Sequence, residues 1–200
     1  MRLSANRGLR VALVCALAAL ALPALSAAPR DLSGLITAAG RPLRDAVLWL
    51  DVDGGLAPAA APVRAHALID QRNMQFLPRV LAVRVGTVVD MPNSDRLFHN
   101  VFSFRDGKVF DLGLYPVGSS KSVTFDRAGV SRLFCNIHPA MAAYVVAVDS
   151  PFFAVTDAGG RFVLHGVPDG SHRYHLWRAG AAPVDGTIDA AGGPIAIALP

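Results

Sequence analysis

Short apolar segments separated by turn residues run along most of the chain. Clusters of Gly, Asp, Asn and Pro interrupt them at close intervals, and no helical period is evident after the first residues. Segments of this kind at this spacing predict the strands of a β-sandwich or barrel. The predicted strands fall at 35–37, 46–52, 80–85, 88–91, 97–104, 121–125, 130–135, 143–148, 152–155, 161–164 and 171–177.

The choice of polar residues also favours strands. Every acidic residue is Asp, and Lys occurs only as Lys108 and Lys121. Good polar helix formers are therefore scarce, while Gly, Pro, Asp and Val are plentiful. We expect an all-β protein.

The N-terminus has a different character. Arg2, Arg7 and Arg10 precede an uninterrupted apolar run over 11–22, and small residues follow as far as Ala28. A basic head, an apolar stretch and a small-residue tail predict a secretory signal peptide over residues 1–28. The apolar run is too short to span a membrane, so we expect export to the periplasm and no membrane span in the mature chain.

Removing this leader would change the charge and the thiol content. The formal net charge would fall from +4 to +1, because three arginines and no acids are lost. The high pI thus gives no reason to expect a nucleic-acid partner. Cys15 would also be lost, which leaves Cys135 as the sole cysteine and excludes an internal disulfide. A single thiol in an oxidising compartment is either buried and inert or occupied by a ligand.

Potential metal ligands are concentrated around this cysteine. Cys135, His138 and Met141 lie within seven residues between two predicted strands, and His99 lies on an earlier strand. Two His, one Cys and a weak axial Met form the donor set of a blue-copper electron-transfer site. The sequence therefore predicts copper bound by His99, Cys135, His138 and Met141.

The middle of the chain resembles the plastocyanin and amicyanin group of cupredoxins. The fuller pattern resembles a family usually labelled methylamine-utilisation or plastocyanin-like proteins. The matching segments are 71–73, 76–78, 93–95, 99–103, 110–113 and 135–138, with a continuation at 156–157 and 167–170.

The resemblance implies a Greek-key β-sandwich and a role in carrying single electrons between redox partner proteins. It makes His99, Cys135 and His138 the strong ligands, with Met141 axial. Asn100 would tie the His99 strand to the ligand loop and help orient hydrogen bonds at the Cys135 sulfur. One departure is Trp177-Arg178, where relatives are expected to have His after Trp.

The two ends of the mature chain suggest a further β module. Segments 33–50 and 151–177 resemble parts of a carboxypeptidase regulatory-like or transthyretin-like sandwich. The expected division is 29–65 and 150–200 as the two parts of this module and 66–149 as the cupredoxin domain. In the alternative interpretation, both flanks simply extend the cupredoxin sheets.

Other functions are less well supported by the sequence. One mature cysteine excludes a dinuclear copper site with two bridging thiolates, and the sequence has no His-x-His pair for a trinuclear copper cluster. A copper nitrite reductase connects its two copper sites through a His next to the Cys, and here that position is Phe134. We therefore expect no enzymatic activity. His165, His172 and His175 are interpreted as surface residues. The alternative to electron transfer is a copper-binding protein that delivers or buffers the metal.

Overall fold

The computed structural model describes residues 28–51 and 65–200. Within these residues the chain forms 18 strands and no helix, which confirms the all-β prediction. No helix in this part is long and apolar enough to cross a membrane. The predicted leader up to Ala27 and the predicted Ala/Pro linker around 53–62 lie outside the described residues.

The middle segment forms two sheets over one core. The larger sheet has the order β10-β9-β12-β13-β7 and the smaller β11-β8-β4, with the β5-β6 hairpin beside them. Buried Val89, Val101, Leu133 and Val145 contribute to a shared hydrophobic cluster. The strands are β4 (His66–Leu68), β5 (Asp70–Arg72), β6 (Gln75–Leu77), β7 (Val80–Arg84), β8 (Val88–Pro92), β9 (His99–Ser103), β10 (Phe110–Tyr115), β11 (Ser120–Thr124), β12 (Gly129–Phe134) and β13 (Ala142–Val148).

The flanking segments form two sheets of their own, in the orders β15-β1-β18, with β2 added to β1, and β14-β3-β16-β17. Each sheet combines strands from both ends of the chain. A second hydrophobic cluster, which includes Ile36, Leu48 and Leu164, fills the space between them. The strands are β1 (Arg30–Ala38), β2 (Arg41–Pro42), β3 (Val47–Leu50), β14 (Phe153–Val155), β15 (Arg161–Val167), β16 (Ser171–Trp177), β17 (Val184–Asp189) and β18 (Ile195–Leu199).

This pairing bears on the two interpretations of the flanks. Among the described residues, the flanking strands pair with one another and not with the strands of the middle segment. Such pairing is what an insertion into a separate β module requires, whereas extended cupredoxin sheets would need pairing across the boundary. The resemblance of the flanks to a carboxypeptidase regulatory-like or transthyretin-like sandwich stays a prediction, as do the domain boundaries.

A third apolar cluster joins the two halves. Val146 and Val148 on the outer face of β13 pack with Val47 and Trp177 of the flanking strands. The rings of Tyr144 and Trp177 lie 5.1 Å apart. Because β13 is covered on both faces, its sequence is a nearly continuous apolar run instead of an alternating one.

The predicted turn over 157–160 connects β14 and β15 and contains a position that requires glycine. Gly160 has a φ of +73°, and a Cβ at this position would lie 2.5 Å from the carbonyl oxygen of Ile36. Only glycine combines this backbone conformation with so close an approach. The turn therefore fixes β15 against β1.

Candidate metal centre

Three of the four predicted ligands, His99, Cys135 and His138, meet at one end of the five-stranded sheet. β9 begins at His99, and β12 ends one residue before Cys135. These strands are antiparallel, with Phe134 opposite Phe102. The start of β9 therefore lies beside the end of β12, and the short connection from β12 to β13 brings His138 back over the same end.

Three donor atoms face a common centre. The two Nδ1 atoms of His99 and His138 are 3.0 Å apart. The Sγ atom of Cys135 lies 3.9 Å from Nδ1 of His99 and 3.7 Å from Nδ1 of His138. Among the described residues, this is the one group of three His, Cys or Asp side chains with converging ligand atoms.

The spacing of these atoms fits a single metal ion. The three distances define a triangle whose corners all lie about 2.1 Å from one central point, which matches metal–nitrogen bonds of about 2.0 Å and metal–sulfur bonds of about 2.3 Å. One cation at this point could be bound by both nitrogens and the sulfur together. The donor set of two imidazoles and a thiolate suits copper or zinc.

Hydrogen bonds hold the ligand loop in place. The amide of Met141 donates to the carbonyl oxygen of His138 at 2.9 Å, and the amide of Asn136 donates to Oδ1 of Asn100 at 2.8 Å. The second bond ties the β9 strand to the loop, as the resemblance implied for Asn100. Met141 is buried in the same hydrophobic cluster as Cys135.

Burial differs among the four predicted ligands. His99 is 0% exposed, Cys135 3% and Met141 1%. His138 is only partly buried, and the neighbouring Pro139 and Ala140 are exposed. Ile137 is 49% exposed. The site is therefore closed to solvent except at His138, which lies within a small apolar surface.

Asp95 orients His99 from the side opposite the donor cluster, a role that the sequence did not indicate. Its Oδ2 lies 2.9 Å from Nε2 of His99. An ionised carboxylate can only accept, so Nε2 carries the proton and Nδ1 keeps its lone pair for a metal. The spacing of four residues between Asp95 and His99 was the available sequence signal for this contact. Residues 95–98 form a loop without a regular period, however, so the spacing alone does not predict that the two side chains meet.

The environment of Asp95 stabilises its charged form. A hydrogen bond from the backbone amide of Met74 lowers the pKa of Asp95 to about 2, against the opposing effect of burial, and His99 and the amide of Arg96 add to the lowering. The Met74 and Arg96 amides lie 2.6 and 2.7 Å from the carboxylate. Asp95 is thus an anion fixed behind the ring of His99.

Buried polar side chains support this loop. Oδ1 of Asn93 accepts from the Asp95 amide at 3.1 Å, and its Nδ2 donates to the carbonyls of Leu97 and Tyr115. Gln71 reaches the hydroxyl of Tyr115 and the carbonyls of Met91 and Pro92. Burial raises the pKa of Tyr115 to about 12. Its hydroxyl therefore stays protonated and donates to the carbonyl of Met91.

The remaining histidines are engaged elsewhere. His66 contacts Asp90 at 2.8 Å, His165 contacts Asp31 at 2.8 Å, and Nε2 of His172 contacts the carbonyl of Pro168 at 2.8 Å. His175 is partly buried between Asp185 and Asp51, at 2.6 and 2.8 Å. None of these four histidines belongs to the donor cluster formed within the described residues.

Comparison with solved structures shows similarity to cupredoxins over 41–50% of the chain. A purple cupredoxin from Nitrosopumilus maritimus is 26% identical, with 41% of this chain and 99% of that chain covered and a TM-score of 0.38. A reduced variant of amicyanin is 26% identical, and the match covers 50% of this chain and 99% of the amicyanin chain with a TM-score of 0.39. A Cu-containing nitrite reductase from Thermus scotoductus is 22% identical, and the match covers 41% of this chain and 22% of the reductase chain with a TM-score of 0.39.

No protein-family model and no curated protein matches the chain. TM-scores as low as those above give no support to a functional inference. The function therefore has to be inferred from the donor atoms of this chain.

Proposed function

We propose that this protein is a type 1 copper protein that carries single electrons between redox partners in the periplasm. The observation on which this depends is the convergence of Nδ1 of His99, Nδ1 of His138 and Sγ of Cys135 on one centre. These three atoms would bind copper strongly, with the Met141 thioether as a weak axial ligand. Copper, when bound, supplies a one-electron couple whose potential depends on the axial ligand and on the surroundings of the sulfur.

The protein contributes a site that changes little between oxidation states. Asp95 fixes the ring of His99 through Nε2, and the Asn136–Asn100 hydrogen bond fixes the loop that carries Cys135 and His138. Thiolate and thioether suit Cu(I), and imidazole suits both oxidation states. A fixed donor set that serves both states keeps reorganisation small, which is what electron transfer requires.

Burial distinguishes this role from copper delivery. His99, Cys135 and Met141 are almost fully inaccessible, so release of the metal to another protein would require opening of the core. Electron transfer needs no such opening, because an electron can enter through the partly exposed ring of His138. The closed site thus favours a carrier over a delivery protein.

The surface around His138 supports brief docking of a redox partner. Ile137, Pro139 and Ala140 are exposed and uncharged. A small apolar patch can be desolvated quickly and gives the limited contact typical of transient electron-transfer complexes.

Export to the periplasm is supported by the predicted signal peptide over residues 1–28.

A copper titration of the mature protein tests the proposal. One equivalent of Cu(II) should produce an intense visible thiolate-to-copper band, and Cys135→Ser should abolish it. A Ser131→Ala variant, which removes a hydroxyl from β12 outside the donor cluster, should retain the band. A wild-type protein that remains colourless with stoichiometric Cu(II) would contradict the proposal, whereas zinc in the purified protein would not, since the same donors bind zinc.

A further inference from the structure

A second concave site lies where the middle and flanking strands meet. It is a groove of about 430 Å³ between β12 and β13 on one side and the end of β16 on the other. Three arginines, Arg105, Arg132 and Arg178, line it together with the rings of Tyr144 and Trp177. Its volume falls within the range of small-molecule sites, roughly 300–1,000 Å³.

The protein neutralises the positive charge of this groove only in part. Within the described part of the chain, none of the three arginines forms an ion pair with an acid, whereas Arg30, Arg72 and Lys108 each do. Asp106 also lines the groove but lies beyond ion-pair distance from the arginines. Three guanidinium groups around one cavity repel one another and attract an anion.

Two of the guanidinium groups are held on aromatic rings. Arg132 lies over the ring of Phe134 at 4.6 Å and over that of Tyr144 at 5.7 Å. Arg105 lies over the ring of Phe104 at 5.1 Å. Stacking fixes the plane of a guanidinium and leaves its N–H edge free for bidentate hydrogen bonds to oxygen. Ligand binding would therefore cost little side-chain entropy.

The third guanidinium has an unmet hydrogen-bonding requirement. Nε of Arg178 is buried and has no hydrogen-bond partner. A buried donor without a partner costs on the order of 1–3 kcal/mol. This atom is closed to solvent in the structure, so an oxygen acceptor in the groove removes the cost by drawing the Arg178 side chain round to face it.

We propose that this groove binds a small multivalent oxyanion, either a phosphate or a dicarboxylate. The arginines supply charge and forked N–H donors that match both groups, and Tyr144 and Trp177 supply an apolar wall. The proposal does not depend on copper binding, because no metal ligand lines the groove.

Titration of the full mature chain with inorganic phosphate and with succinate tests this site. Backbone amide NMR shifts would be followed in the reduced protein, with chloride at equal ionic strength as the reference. We expect saturable shifts confined to the groove, at residues 105–106, 130–132, 144 and 177–182, with dissociation constants in the millimolar range or below. Absence of shifts with both anions, each at about 20 mM, would overturn the proposal, because it corresponds to binding weaker than roughly 2–3 kcal/mol.

Charge-matched variants separate a built site from general attraction. Arg178→Gln and Arg105→Gln should each weaken binding at least about tenfold, since each removes a charge-assisted hydrogen bond. Arg173→Gln removes the same charge from an exposed position on β16 outside the groove and should weaken binding less than about twofold. Equal weakening by all three variants would contradict the proposal.

Two controls keep these results interpretable. The urea midpoint of each variant should match that of the parent, and either groove variant alone is sufficient if the other does not fold. If phosphate and succinate fail to bind while poly-glutamate shifts the same amides, the surface docks an acidic protein and the small-molecule proposal is wrong.

Discussion

Removal of the Asp95 charge should change both stability and redox potential. Asp95→Asn keeps the size of the side chain but replaces a carboxylate that accepts from His99 and from the amides of Met74 and Arg96. The ring of His99 would lose its charged partner, and the loop before β9 would lose its main anchor. The substitution removes none of the atoms proposed to bind copper.

The size of the stability effect follows from the pKa of Asp95. Folding lowers this pKa from 3.8 to about 2, which corresponds to about 2 kcal/mol of native-state stabilisation. Since the folded-state pKa is the lower one, this stabilisation is complete above the unfolded pKa and is lost as the pH falls through about 2. Asp95→Asn should therefore destabilise the metal-free protein by about 2 kcal/mol at pH 7.

The electronic effect should raise the potential. An ion bonded to Nδ1 of His99 lies across the imidazole ring from Asp95, about 7 Å from its charge. A unit charge at this distance contributes on the order of 2 kcal/mol at an effective dielectric constant of about 20, equivalent to an upper bound of roughly 100 mV for one electron. Loss of an anion disfavours Cu(II) relative to Cu(I), so the potential should rise.

Urea unfolding of the metal-free protein and voltammetry of the copper protein measure the two effects. Asp90→Asn is the matched control, because Asp90 also contacts a histidine at 2.8 Å but lies in an exposed pair. It should cost less than about 1 kcal/mol and leave the potential unchanged. A potential that does not rise in Asp95→Asn, or a loss of stability no larger than that of the control, would refute the assigned role.

Substitutions at three further positions test other parts of the structure. Met141→Gln should retain the visible band but lower the potential, because a harder oxygen donor favours Cu(II); an unchanged potential in voltammetry would show that Met141 is only a core residue. Ala140→Asp and Ala140→Lys should leave the spectrum unchanged but slow second-order electron transfer with the physiological partner, and wild-type rates in stopped flow at low and high salt would exclude this surface. Burial alone would lower the pKa of His175, but Asp185 and Asp51 outweigh it and raise the pKa. The stabilisation by these ion pairs is complete below the ordinary pKa of histidine and is lost as the pH rises through the raised pKa of His175. His175→Gln should therefore lower the free energy of unfolding by a few tenths to about 1 kcal/mol near pH 5 and by less at pH 9, as measured by urea midpoints. An equal loss of stability at both pH values would contradict the ion-pair role.

The predicted ligands that lie close together in the sequence were the easiest to identify. Cys135, His138 and Met141 share one short loop, so their types and spacing describe a site without knowledge of the fold. His99 could be added because its side chain completes a known donor set. Asp95 could not be assigned, since its contact depends on the path of an irregular loop.

The pattern of apolar residues predicted strand positions well where buried and exposed residues alternate regularly, or where both faces of the strand are buried. β13 and β16 were predicted close to their observed bounds. β10 was not predicted as a strand, although Phe110, Leu112 and Leu114 alternate with Asp111 and Gly113. Gly113 has a φ of +62° and the register shifts between Asp111 and Leu114, so this segment is an irregular strand that a short alternation did not reveal. β18 has alternating Ile195, Ile197 and Leu199, but its small residues concealed the pattern.

Pairings between distant segments lie beyond such patterns. β1 and β18 are neighbours in one sheet although they stand at opposite ends of the described chain. Nothing local in either strand specifies this partner. The groove formed by Arg105, Arg132 and Arg178 likewise exists only because the flanking strands pack on the outer face of β13.

X-ray absorption spectroscopy at the copper edge tests the proposed centre most directly. The mature protein loaded with one equivalent of copper should show two nitrogen neighbours at about 2.0 Å and one short sulfur neighbour at about 2.3 Å or less, with nearly the same distances in the oxidised and reduced states. Cys135→Ser should lose the short sulfur contribution alone. A first coordination shell of nitrogen and oxygen without a short sulfur in the wild-type protein would contradict the assignment of His99, Cys135 and His138 as the copper ligands.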